Sequence, residues 1–438
     1  MQKYQTDDTI FALATGWIRS ALAIVRISGD GCIALFSRAF SRPEALLKAK
    51  GSTIIHGFLK DGRGQTIDEV VVSVYRDGHG YTGEEALELT SHGSPIVIRR
   101  ILAALGNLGM RQAERGEFTY RAFLHQKMDL TQAEAVEELV DSVSEQGQQM
   151  ALDRLCGSLK ARLLSLREAY LSVMAAIEVQ LDYSEDELDA FVFPQKQLDD
   201  ILTELHNLSA TYQVGRLYGN GAKVVLAGRT NVGKSSLFNL LLKEQRSIVS
   251  PTPGTTRDYI EENCVIDDVP VRLFDTAGLR ESSDAIEKEG IGRTRNLMKD
   301  ADLVIYLLED GDAVPPSDDR TLVVWSKSDV KRHEGLSVSS LTGEGIPQLL
   351  QAIGTKLRSD LPHDGAEDIV VQSERQHALL EETIADIRSA LELEAEKVPL
   401  DIISATLQEG LRSLGEITGE VTSEDILDKI FSGFCVGK

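Results

Sequence analysis

The chain has 438 residues and a mass of 48.0 kDa, enough for two to four domains at roughly 100–200 residues each. Hydrophobic residues make up 42% and charged residues 26%, a composition that excludes wholesale disorder. A formal charge of −23 excludes a protein that coats nucleic acid by bulk electrostatics, although residues 1–125 hold 15 Lys+Arg against 13 Asp+Glu and so resist an anionic partner least.

The first residues, Met-Gln-Lys-Tyr-Gln-Thr-Asp-Asp, are acidic where a signal peptide is basic, and no long apolar run follows. No stretch reaches the roughly 20 apolar residues of a membrane span. Cys32, Cys156, Cys264 and Cys435 make neither a disulfide framework nor a metal-ligand spacing. The expectation is a cytoplasmic protein without membrane attachment.

Residues 1–125 predict a small α+β domain. Ala-Leu-Ala-Ile-Val-Arg-Ile-Ser (21–28), residues 52–59 and the period-2 run Asp-Glu-Val-Val-Val-Ser-Val-Tyr (68–75) read as strands. Residues 61–65 and 76–80 read as loops, and 94–109 as a helix stopped by Gly109. From Leu130 to Leu217 the pattern becomes helical, with Ala133, Val136, Leu139, Val140, Val143, Leu152, Leu155, Leu159, Leu163, Leu166 and Tyr170 in apolar stripes. An acidic stretch at 182–189 interrupts it, and Pro194 opens another helix. From about residue 217, apolar runs at 223–228, 271–276, 301–310 and 321–327 alternate with helical patterns and predict a parallel α/β sheet. Residues 360–368 read as a linker, and helices resume at 373. The predicted organisation is 1–125, a helical part 126–216, an inserted α/β part 217–372, and a second helical part 373–438.

Gly228-Arg-Thr-Asn-Val-Gly233-Lys234-Ser235 fits G-x4-G-K-[ST] between a strand and a helix. Its backbone N–H groups and the helix dipole suit phosphates, Lys234 the β/γ-phosphates, and the Ser235 hydroxyl Mg2+. Asp275-Thr276-Ala277-Gly278 ends a later strand, where Asp275 would stand beside the metal and Gly278 near the γ-phosphate. Thr256, in Gly-Thr-Thr-Arg-Asp (254–258), lies where a loop would close over Mg2+. Ser326-Lys327-Ser328-Asp329 ends another strand, and its carboxylate suits guanine N1–H and the 2-amino group, selecting GTP over ATP. As an ordered set these motifs point to a translation-factor-class, Ras-like GTPase domain. Leu279 stands where Ras-like proteins carry a water-orienting Gln, so another group must orient water. From the loop alone, Asn231 reads equally as a loop-former and as a ligand for a monovalent cation.

Beyond these motifs, Ala-Ile-Val-Arg-Ile-Ser-Gly (23–29), Tyr-Thr-Gly-Glu-Glu-Ala-Leu-Glu-Leu (81–89), Gly-Glu-Phe-Thr-Tyr-Arg-Ala-Phe-Leu (116–124), Lys-Met-Asp-Leu-Thr-Gln-Ala-Glu-Ala (127–135) and the terminal Phe-Cys-Val-Gly-Lys (434–438) resemble the MnmE (TrmE) family of tRNA-modification GTPases. The resemblance implies an N-terminal domain that binds 5-formyl- or methylene-tetrahydrofolate and dimerises, a discontinuous helical domain, and an inserted G domain. It implies a K+-stimulated GTPase acting with an FAD-dependent MnmG-type partner, in a heterotetramer or larger assembly, on tRNA. The product would be an aminomethyl or carboxymethylaminomethyl group at C5 of the wobble uridine.

Carried over by motif, the folate contacts are Arg26, Glu88, Lys127 and Lys438, and Cys435 is the cysteine required for modification. The nucleotide contacts are Asn231, Val232, Gly233, Lys234, Ser235, Ser236, Ser250, Thr255, Thr256, Asp275, Thr276, Ala277, Gly278, Ser326, Lys327, Asp329 and Ser339. Mg2+ falls to Ser235 and Thr256, and K+ to Asn231, Ser250, Thr252 and Thr255. Glu287 would orient water and Lys234 assist catalysis. The chain departs from the pattern at Ser326, where Asn is usual, at Ser339-Ser-Leu341, at Thr-Gly-Trp-Ile-Arg-Ser (15–20) and at Val436. Two alternatives differ in class: a ribosome-assembly GTPase working as a binding switch, which the net acidity of 373–438 disfavours, and a folate-binding scaffold whose G domain only senses nucleotide.

Overall fold

The computed structural model describes residues 4, 6–76, 78–182, 192–244, 260–275, 297–316, 318–359, 361 and 369–438. They form two compact units: Met1–Glu137 with Leu411–Lys438, and Glu138–Gly410.

The first unit is built on a six-stranded sheet of β1 (Ile10–Leu13), β2 (Leu22–Ser28), β3 (Thr53–Lys60), β4 (Thr66–Tyr75), β5 (Ala86–His92) and β6 (Arg111–Gln112), ordered β3-β4-β5-β2-β1-β6. The strands expected at 21–28, 52–59 and 68–75 are β2, β3 and β4. Alternation sorts their side chains: Val70, Val72 and Val74 are buried while Val71 is exposed. The inward set packs with Phe36, Ile101 and Leu105 of the helices Cys32–Ser37 and Pro95–Asn107. Gly109 ends the second helix as expected. It takes φ +91°, and Gly109 N–H and Met110 N–H donate to the Gly106 and Leu105 carbonyls at 3.0 and 3.4 Å, a Schellman closure that a left-handed glycine permits. On the other face, Phe118 and Ala113 cover Ile10 and Ala12 of β1, while Ile54, Phe58 and Val71 at the β3–β4 end are exposed.

The second unit holds the helices Glu145–Leu155, Ser158–Asp182, Gln195–Ala210, Tyr212–Asn220 and Glu374–Ala395, and a five-stranded sheet. Leu159, Leu163, Leu166 and Tyr170 are buried as the periodicity predicts. Val140 and Leu152, placed in the same stripes, are exposed. The chain breaks at Ser144, which caps the next helix by accepting from Gly147 N–H, and again at Gly157 with φ +94°, and each break resets the helical phase.

The sheet comprises β7 (Ala222–Gly228), β8 (Ile260–Ile266), β9 (Val269–Asp275), β10 (Leu303–Leu308) and β11 (Thr321–Trp325), ordered β11-β10-β7-β9-β8. Four strands are parallel, as expected, but β8 pairs antiparallel with β9. The cause is a two-residue turn in which Asp267 and Asp268 both take positive φ (50° and 64°), the geometry that matches strand twist in a tight hairpin. The chain enters this sheet after Asn220 and leaves it at residues 370–372, and the two crossings are adjacent. A Cβ on Gly215 would lie 2.1 Å from the Val371 carbonyl oxygen, and buried Arg154 donates to the Val370 carbonyl at 3.0 Å and to Glu138 and Gln372. The expected linker residues 360 and 362–368 lie outside the described residues.

Candidate active site

The sheet of the second unit presents the carboxyl ends of β7, β10 and β11 side by side, where open parallel sheets bind ligands. β7 runs into Gly228, whose φ is +137° and whose added Cβ would meet the Leu307 carbonyl oxygen at 2.5 Å, so glycine is required there. Asn231 takes φ +65° and Gly233 φ +104°, which turn the loop back on itself before the helix Lys234–Glu244 begins. Lys234 is 7% exposed, and its ammonium donates to the Gly228 and Arg229 carbonyls at 2.9 and 2.7 Å. Burial pushes it below the usual lysine range, and the Asp275 carboxylate pulls the other way. Val232 is buried, while Ser235 and Ser236 are exposed.

Asp275 ends β9 opposite Leu226 of β7 and is 1% exposed, so the fold brings the phosphate-loop lysine and this carboxylate within electrostatic reach. On the other side of the sheet, Ser326 leaves β11. Its N–H and hydroxyl both donate to the Leu308 carbonyl, at 2.8 and 3.0 Å. Lys327 takes φ +57° and ion-pairs with Glu309. Asp329 is exposed and accepts from the Ser339 hydroxyl at 2.5 Å. Ser339 is fully buried and also accepts from the Leu341 and Thr342 N–H groups, so it fixes the carboxylate that would read a base edge. Ser339, matched only loosely by sequence, thus has a defined position. Ser250, Thr252, Thr255, Thr256, Thr276, Ala277, Gly278 and Glu287 lie outside the described residues.

The first unit brings together a second set. Arg26 on β2 faces Glu88 on β5 as a direct cross-strand pair, donating Nε and Nη2 to Oε1 at 3.2 and 3.0 Å. Its Nη1 donates to the Gly437 carbonyl at 3.3 Å, so the chain's last residues close on this pair. The guanidinium lies 4.7 Å from the Tyr81 ring centroid, and the Tyr75 hydroxyl donates to Glu88 at 3.3 Å. Sequence reasoning missed both tyrosines, although Tyr81 opens the quoted 81–89 motif. Lys127 donates to the Gly78 carbonyl at 2.9 Å, on the loop that also carries Tyr81. Lys438 N–H donates to the Cys435 carbonyl at 3.3 Å, and Cys435 is an exposed free thiol.

Beneath this set lies a buried ion network that sequence reasoning also missed. Arg121, with no exposed surface, meets Asp8 at 2.7 Å, Glu84 at 3.2 Å and Glu117 at 3.1 Å. Glu84 accepts from Ser28 on β2 at 2.7 Å, and Ser28 bonds Thr82 at 2.6 Å. The network therefore fixes the Tyr81–Glu84 loop against the strand that carries Arg26.

Comparison with known proteins places two descriptions along the chain. Residues 9–127 match "GTP-binding protein TrmE N-terminus" and residues 130–435 match "MnmE helical domain". A tRNA modification GTPase MnmE of Treponema denticola is 38% identical over 468 residues, covering 100% of this chain and 99% of that one. One of Borrelia recurrentis is 40% identical over 461 residues, covering 99% of each. One of Aquifex aeolicus is 37% identical over 451 residues, covering 98% of this chain and 100% of that one.

Proposed function

The chain belongs to the MnmE family of tRNA modification GTPases, and on that premise we propose that it is a K+-stimulated GTPase that, with an FAD-dependent MnmG-type partner, adds an aminomethyl or carboxymethylaminomethyl group to C5 of the wobble uridine of certain tRNAs. A GTPase in tRNA modification is what the family is. The observation that carries the finer reading is the occurrence, in one chain, of a lysine-centred phosphate loop beside Asp275 and a separate arginine–carboxylate pair closed by the C-terminus.

The residues present fit the implied groups. The exposed Ser235 hydroxyl, one residue into the helix after the loop, suits Mg2+ together with Thr256. The neutral oxygens of Asn231, Ser250, Thr252 and Thr255 suit a weakly hydrated monovalent cation, and Asn231 is exposed at the loop's left-handed turn. K+ and Mg2+, when bound, neutralise charge that builds on the phosphates. Lys234 holds the β/γ-phosphates, trading its loop carbonyls for phosphate oxygens. Asp329, oriented by Ser339, accepts from guanine N1–H and the 2-amino group. Glu287 holds the attacking water and turns it toward the γ-phosphorus.

In the first unit, the Arg26–Glu88 pair offers donors and an acceptor side by side, which suits the amide-like edge of a pterin, and Lys127 and Lys438 suit an anionic glutamate tail. 5-Formyl- or methylene-tetrahydrofolate, when bound, supplies the one-carbon unit, and the exposed Cys435 thiol stands three residues from Lys438. Support for a homodimer is the apolar face at Ile54, Phe58 and Val71, which is exposed among the described residues.

The test of the GTPase reading is turnover in K+ and in Na+ at equal ionic strength. Faster hydrolysis in K+, with the difference abolished by Asn231→Ala, is expected. Equal rates in the two salts for the unaltered chain contradict the cation site.

A further inference from the structure

The sheet order determines how the two ends of a nucleotide site communicate. β10 lies between β7 and β11, so the turn that leaves β10 stands between the phosphate loop leaving β7 and the guanine-reading segment leaving β11. That turn, Glu309–Asp312, closes on itself. Asp312 N–H donates to the Glu309 carbonyl at 3.1 Å, Glu309 N–H donates to Asp312 Oδ2 at 2.9 Å, and Gly311 supplies φ +89°.

Both flanking segments grip it. From the phosphate loop, Arg229 Nη1 donates to Asp312 Oδ1 at 2.6 Å. From the β11 side, Lys327 ion-pairs with Glu309, and Ser326 donates twice to the Leu308 carbonyl at the start of the turn. Lys331 adds a bond to Asp310 at 2.8 Å. The asymmetry of the Arg229–Asp312 pair is informative. The Arg229 side chain is 77% exposed, so packing does not hold it, whereas Asp312 is 6% exposed with both oxygens engaged. A solvated surface pair of that kind contributes little to stability; its consequence is where it holds the loop. The backbone carbonyl of the same Arg229 is one of the two that hold Lys234.

We propose that Arg229 and Asp312 are positioning residues that couple the phosphate loop to the guanine-reading segment through the β10 turn, so that a nucleotide is bound tightly only when both of its ends are engaged. The proposal deepens the GTP-binding reading above and rests on it. Ser326 spends both its N–H and its hydroxyl on the Leu308 carbonyl, which ties the β11 segment to the start of the turn.

The test is a double-mutant cycle on the full chain with Arg229→Ala, Asp312→Asn and the pair, titrated with GDP and with inosine diphosphate, which lacks the 2-amino group that Asp329 would read. Each single variant is expected to weaken GDP binding roughly fivefold, the upper scale of an exposed ion pair. The preference for GDP over inosine diphosphate is expected to shrink in each. The double variant is expected to be no weaker than the worse single, and Arg229→Lys to recover most of the loss. Because Arg229 is mostly exposed, its removal takes no packing away, and a matched thermal midpoint certifies the fold. Equal losses for the two nucleotides, or single effects that multiply in the double variant, overturn the coupling. If the unaltered chain holds GDP no better than ADP, the nucleotide reading itself falls and carries this inference with it.

Discussion

Arg121 sits in an environment far from the usual one for its type. A guanidinium with no exposed surface, meeting three carboxylates, exists only because each charge compensates another. Removing it strands buried carboxylates, and Arg121→Ala is expected to cost the first unit about 3–5 kcal/mol. Urea unfolding followed by Trp17 emission in a Trp325→Phe background measures this; a loss under about 1 kcal/mol contradicts the network. The same contacts set an acid dependence. Burial raises the Asp8 carboxyl, but hydrogen bonds from Arg111 and Arg121 outweigh it and hold the group below the usual carboxylate range. A carboxylate with a depressed folded-state value lends stability above its unfolded value, about 3.9, and that stability is lost as pH falls through the folded value. The first unit is expected to weaken below about pH 4, and Asp8→Asn to flatten that slope; superimposable slopes for the two chains contradict it. None of this was legible in sequence. Glu117, Thr119 and Arg121 are polar residues on one short helix, Glu117–Leu124, whose residues 117–122 are buried all round, so it shows no apolar stripe to read.

Elements were legible where one physical signal acted alone. β4 alternates because one of its faces is open, and the helix before Gly109 ends where a left-handed residue closes its last carbonyls. The central parallel strands β7 and β10 are continuous apolar runs because the sheet is covered on both faces there. Legibility failed where signals competed. β8 turns into β9 through Asp267 and Asp268, which tolerate positive φ but lack the Asn-Gly signature, so the antiparallel edge was hidden. The helical stripe from Val140 to Leu152 was read through the chain break at Ser144. In the candidate site, the placement of the phosphate loop after β7 and of the Asp329 segment after β11 was legible because each is a short local motif at a strand end. The Arg26–Glu88 pair was not readable as a pair, because 62 residues of chain separate two charges that only β2–β5 register brings opposite. Where the chain enters and leaves the five-stranded sheet, close approach is enforced by Gly215, and an added methyl group must displace the Val371 carbonyl. Gly215→Ala is expected to destabilise the second unit by roughly 1–3 kcal/mol. Unfolding followed by Trp325 emission in a Trp17→Phe background checks it, and an unchanged midpoint contradicts the adjacency of the two crossings.

At the scale of the molecule, two candidate sites share one chain. The second unit carries the phosphate loop and the Asp329–Ser339 pair, and the first carries an arginine–carboxylate pair closed by the last residues of the sequence. A net charge of −23 leaves the chain poorly suited to grip an RNA by charge alone. No helix among the described residues is long and apolar enough to cross a membrane. The measurement that tests the central claim most directly is nucleoside mass spectrometry of tRNA from cells with and without this protein. The account predicts that C5-aminomethyl-type wobble uridines disappear without it and that the unmodified or 2-thio nucleoside accumulates in their place. An identical nucleoside profile in the two cell lines contradicts it.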